Sequence, residues 1–187
     1  MIRWDLGLSL GPEGVGTAVR VETAHLIGVF PTAARAVSAA SGAAPGGAPE
    51  HIILVYPQSM SSDELGEQLG ECAIAGVKAP VATRDTEVLA AMAGRRALLI
   101  DSDAGLLASS AGPVVDFSPE VLADWFAEDP FGHSVYLTGE PASRDSYVVA
   151  ARDFPPTLVE RPALAALALT LMPVELSTKR RRWWSLR

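Results

Sequence analysis

Ile52-Ile53-Leu54-Val55-Tyr56-Pro57 is an apolar run closed by proline, and Ala97-Leu98-Leu99-Ile100 is a second one that ends in Asp101-Ser102-Asp103-Ala104-Gly105. Short apolar runs bounded by turn residues read as buried strands, and helical signals lie between these two. Ser61, with Glu64 three residues on, forms a capping box, and Leu65, Leu69, Cys72 and Ala73 follow at helical spacing as far as Gly76. A second helix is expected over residues 85–94. Strands joined by helices, with polar turns at the strand ends, are the layout in which a mononucleotide fold offers backbone N–H groups to phosphate. Here the glycines and hydroxyls that such turns need are mostly missing.

Working outward toward the N-terminus, residues 4–10 and 15–21 flank Gly11-Pro12-Glu13-Gly14 and read as a β-hairpin. His25–Phe30 extends it to a three-stranded meander, residues 32–41 suit a short helix, and residues 42–49 form a Gly/Ala/Pro loop. Toward the C-terminus come a strand at Val114–Phe117 and a helix opened by Ser118-Pro119-Glu120, with proline at its first position. A strand at Ser134–Leu137 then ends in Thr138-Gly139-Glu140-Pro141-Ala142-Ser143-Arg144. The last helix is expected over Pro162–Met172, with Leu164, Leu167, Ala168 and Leu171 as its apolar stripe.

The chain has 187 residues, 49% of them hydrophobic, enough for one domain with a real core. We expect a compact domain over residues 1–176 and a basic, tryptophan-containing tail at 177–187. The net charge of −7 conceals an asymmetry. The tail holds five cations and no acid, which leaves 10 basic against 22 acidic residues, or −12, in the body. Such a body repels phosphate backbones, so nucleic acid is not expected as a partner. The longest near-apolar run, Ala163–Val174, is too short to cross a bilayer and contains Pro173, and no secretory signal opens the sequence. With a single cysteine, these features point to a reducing, cytoplasmic setting. Cys72 falls on the apolar stripe of its helix and reads as core rather than as a nucleophile. Trp125 and Phe126 fit core or a partner surface. His25, His51 and His133 have no zinc-ligand spacing, and Gly7-Leu8-Ser9-Leu10-Gly11 has the letters of a nucleophile elbow but lies within a strand.

Several segments together resemble the actin-like and heat-shock-chaperone ATPase superfamily, whose lobes have an RNase H-like α/β fold. Val55-Tyr56-Pro57, then Ala73-Ile74-Ala75-Gly76-Val77, then Arg84-Asp85-Thr86 leading into Leu89-Ala90-Ala91-Met92-Ala93-Gly94, match blocks of those chaperones in kind and in spacing. The resemblance implies a mixed sheet, a β-meander plus parallel strands, flanked by helices. Its first phosphate loop falls on Asp5-Leu6-Gly7 by letters or on Ser9-Leu10-Gly11 by distance to the next strand, and the second register is preferred. Ser9 then stands in place of the metal-associated aspartate, and Pro12 and Glu13 replace the hydroxyl-bearing turn. Asp101-Ser102-Asp103-Ala104-Gly105-Leu106 occupies the second phosphate loop with one glycine left. Asp85 stands in for a glutamate, and Gly139, Ser143 and Arg144 fall in the adenosine segment. Only residues 106–138 separate these last two segments, so most of a second lobe is expected to be missing.

What the resemblance implies is therefore a degenerate, non-catalytic member with no cofactor, serving as a scaffold or regulatory module with a protein partner. The alternative is a nucleotide-binding protein with weak ATPase activity that uses ATP and magnesium. On that alternative Ser9, Gly11, Asp85, Asp101, Asp103, Gly105, Gly139, Ser143 and Arg144 are the candidate nucleotide contacts; no catalytic residue or metal ligand is assigned. The tail, Lys179, Arg180, Arg181, Arg182, Trp183 and Trp184, has the cations and interfacial indoles of a segment drawn to an anionic membrane surface, the inner face in a cytoplasmic protein.

Overall fold

A computed structural model describes residues 3–129 and 132–171. Strands β1 (Asp5–Gly11), β2 (Gly14–Arg20) and β3 (Ala24–Phe30) form the expected meander, and helix α1 (Ala33–Ala43), capped by Thr32, follows it. Then come β4 (His51–Tyr56), α2 (Ser62–Ile74), β5 (Val81–Arg84) and α3 (Asp85–Ala93). The Ser61/Glu64 capping box is formed, the side chain of each residue pairing with the backbone N–H of the other. β1 pairs antiparallel with β2 and parallel with β4, so the sheet order is β3-β2-β1-β4-β5.

The chain then repeats this plan. β6 (Arg96–Asp101), β7 (Leu106–Ser109) and β8 (Val114–Asp116) make a second meander. Helix α4 (Pro119–Glu128) leads to β9 (His133–Thr138), which pairs parallel with β6, and α5 (Pro141–Ala150) leads to the short β10 (Thr157–Leu158). The order β10-β9-β6-β7-β8 is that of the first sheet read from its other edge.

The expectation that most of the second lobe is missing is therefore corrected. A meander needs only tight turns, and residues 96–116 build one, so residues 96–158 suffice for a complete second sheet. Asp101–Gly105 is the turn of the β6–β7 hairpin.

Helix α6 (Arg161–Leu171) returns from the second sheet and packs across β1, β2 and β3 of the first. Close approach is possible because Gly7 and Gly16 carry no side chain on that face. A Cβ at Gly7 would lie 2.6 Å from the Ala165 carbonyl oxygen, and one at Gly16 would overlap the backbone of Arg161 and Pro162. Leu6, Leu8 and Leu10 point the other way, into a core with α1 and α2. Cys72 is buried there and desolvation raises its thiol pKa, which makes it an inert core residue. Trp125 and Phe126 pack against the core of the second sheet.

Candidate functional site

Strand-end turns from both sheets and the start of α6 meet at one place. Arg161 opens α6 with its side chain fully buried, over Gly11, where a Cβ would strike its guanidinium. Three carboxylates surround it. Glu13, in the β1–β2 turn, is 3.1 Å from Nε; Asp85, at the start of α3, is 3.5 Å from one terminal nitrogen; Asp101, at the end of β6, is 3.6 Å from the other. A buried guanidinium is tolerated only where opposite charges compensate its lost hydration, and here three elements besides its own supply them.

Asp85 is the most perturbed of these acids. Burial pushes its pKa from about 4 up to about 6, although Arg161 and the N–H groups of Thr86 and Gln58 stabilise its ionised form. Asp101 adds a smaller repulsion in the raising direction. Gln58 reinforces the junction. Its N–H donates to Asp85 at 3.1 Å, its Nε2 donates to the carbonyls of Ser109 at the end of β7 and Gly112 in the β7–β8 turn, and its Oε1 accepts from the Thr86 hydroxyl.

A second constellation lies beside the first. Asp103 places its carboxylate at the N-terminus of α5, where both oxygens accept from the Glu140 N–H at 2.9 and 3.1 Å and one accepts from Ser143 Oγ at 2.6 Å. Ser102 Oγ sits 2.9 Å from Ser143 Oγ and donates to the Thr138 carbonyl. Gly139, at φ +123°, makes room for Ser102, because a Cβ there would overlap its hydroxyl. The amides of Asp103 and Ala104, which a phosphate loop would aim at its ligand, both donate to Asp101 Oδ1 at 3.1 and 3.2 Å.

The candidate residues thus divide. Asp85 and Asp101 converge on Arg161 above Gly11, while Asp103, Gly139 and Ser143 join the second constellation. Ser9 is buried on the α6 side of β1 and its hydroxyl has no hydrogen-bond partner among the described residues. Gly105 sits in the hairpin turn near the Tyr147 hydroxyl, and Arg144 turns away to Glu160 at 3.8 Å. Between the two registers of the first loop, the geometry puts Ser9-Leu10-Gly11 at the strand end by the cleft. Asp5 lies at the opposite end, held by Arg20 and His51 at 2.7 and 2.8 Å.

Arg161 and Gln58 escaped the sequence reading. The available signal for Arg161 was a lone cation at the head of an otherwise apolar helix. Lys179, Arg180, Arg181, Arg182, Trp183 and Trp184 lie outside the described residues. Among those described, no cluster of three or more His, Cys, Asp or Glu side chains is arranged to hold a metal ion, and no helix is long and apolar enough to cross a membrane.

No protein-family model matches the chain, and no curated protein matches it in sequence. Solved structures do resemble it. A Bacteroides thetaiotaomicron protein with an actin-like ATPase fold and unknown function superposes with a TM-score of 0.52, over 90% of this chain and 96% of that one, at 7% identity. The ROK hexokinase of Thermus thermophilus gives a TM-score of 0.48 over 90% and 98%, at 13% identity. The chain has the actin-like ATPase fold, as the resemblance implied, and both sheets are present although most of the second lobe was expected to be missing.

Proposed function

We propose that this is a non-catalytic actin-like domain that works as a protein-interaction scaffold or regulatory module without a nucleotide cycle. The observation that carries this reading is Arg161. A tethered cation lies between Glu13, Asp85 and Asp101, which leaves no room among them for the hydrated magnesium that nucleotide chemistry needs. The anion-binding groups of the cleft are filled in the same way. Asp103 takes the α5 N-terminus and Asp101 takes the turn amides, while Pro12 removes one N–H and Glu13 adds a repelling charge. ATP and magnesium do not fit these residues.

Isothermal titration of the full chain with ATP and magnesium tests the reading. The expected result is no measurable heat up to millimolar nucleotide. Submillimolar affinity overturns it in favour of a nucleotide-binding protein. We further propose that the basic tail adds a weak, salt-sensitive contact with anionic membrane, at about 1 kcal/mol per cation. Sedimentation with anionic liposomes, with and without residues 179–187, checks this: equal binding by both chains removes the proposal.

A further inference from the structure

Ile74 is the most exposed large apolar side chain among the described residues, at 90%, and the backbone holds it there. Exposed apolar residues are ordinary when they stand alone, so the surroundings decide what this one means. Helix α2 ends in a Schellman motif: the Val77 N–H donates to the Cys72 carbonyl at 2.9 Å and the Gly76 N–H to the Ala73 carbonyl at 3.0 Å, with Gly76 at φ +88°. Val77 and Cys72 are both buried, which pins the turn to the core of the first sheet. Ile74, Lys78 and Ala79 are its exposed residues, and Val81, 42% exposed, follows at the start of the edge strand β5. No acid occurs from Cys72 to Arg84, in a body rich in acids. The two flanking acids are engaged elsewhere, Glu71 in the lining of the cleft beside α2 and Asp85 in the buried pair with Arg161. A groove lined by Val81 and Leu171 joins this turn to the last described residue, after which the basic segment follows in sequence. Glu87 lines that groove too, but its carboxylate accepts from the Thr83 hydroxyl and the Arg84 N–H.

We infer that the α2–β5 turn is a docking tip for an anionic bilayer, into which Ile74 inserts while Lys78 meets the headgroups. An aliphatic side chain beside a cation suits the boundary between acyl chains and anionic headgroups. A turn fixed before contact also loses little conformational entropy on docking. The basic tail is tethered beyond Leu171, which shares its groove with Val81, so tip and tail address one surface and each raises the effective concentration of the other. The inference rests on the membrane reading of the tail for its partner, and the experiment separates the two contacts.

Sedimentation of the full chain with mixed phosphatidylcholine–phosphatidylserine vesicles, against phosphatidylcholine alone, is the test. Binding to the mixed vesicles is expected, and Ile74→Asp or Lys78→Glu should weaken it at least about fivefold with circular dichroism unchanged. Val149→Asp, at an exposed position on α5, should leave it intact. A nitrobenzoxadiazole label on the Ile74→Cys variant should shift to the blue on the mixed vesicles; Cys72 is buried and takes no label. A full chain that fails to bind, binding indifferent to both tip substitutions, or an unshifted label on bound protein would each overturn the inference. So would self-association that Ile74→Asp abolishes in a chain that ignores vesicles, which would assign the turn to a second copy. Equal binding with and without residues 179–187, still lost on Ile74→Asp, would remove the tail proposal and leave the tip.

Discussion

At Arg161 a single side chain offsets the buried Asp85 and Asp101 and the partly buried Glu13, and its removal has two readable effects. Arg161→Met keeps the volume but leaves Glu13, Asp85 and Asp101 facing one another, and should cost about 3–5 kcal/mol in urea unfolding at pH 7. Asp85 gives the complementary experiment. Its folded-state pKa of about 6 lies above its unfolded value, so the native state holds a proton that the unfolded chain has released between about pH 4 and pH 6. That contribution is fully present below about pH 4 and is lost as pH rises through about 6. Asp85→Asn keeps an oxygen for the Gln58 and Thr86 N–H groups while removing the titration. Stability measured from pH 4 to 8 should therefore lose most of this group's slope in the variant; an unchanged slope would mean that Asp85 is not the titrating residue.

At the scale of elements, contact between helix and sheet decides which glycines tolerate a methyl group. Gly16→Ala pushes against the backbone at the head of α6 and should destabilise by about 1–3 kcal/mol. Gly66→Ala, on the exposed face of α2 with nothing within 4 Å, should stabilise by about 0.5–1 kcal/mol. Thermal unfolding of the two variants should thus shift in opposite directions. The elements legible in the sequence are those with strong local chemistry: the Gly11–Gly14 hairpin, the Ser61 capping box, the Ser118-Pro119 helix start and the apolar strands around Leu54 and Leu99. β7 and β10 were not legible, being four and two residues long and defined by sheet pairing rather than by any pattern of their own. Of the site, Asp85 and Asp101 could be found because strand ends are where ligands bind in such folds. Arg161 could not, because its partners come from three distant stretches that only the tertiary fold brings together.

On the scale of the whole molecule, α6 and the Arg161 cluster join two sheets of the same connectivity, each with its own core. Cooperative unfolding of the pair rests on that junction. The native chain should unfold in one calorimetric transition at pH 7, and Arg161→Met should broaden it or split it in two. A split transition is the mark of uncoupled lobes, and a merely lowered single one would place the coupling in α6 packing instead. The carboxylate of Asp103 at the head of α5 acts at the same scale. It belongs to the chain, so its effective concentration at that helix end is set by covalent connection and does not fall when a metabolite runs low. An outside anion must displace a resident that never diffuses away. On the reading proposed above, a cleft furnished in this way responds to whether the polypeptide has folded and not to the energy charge of the cell.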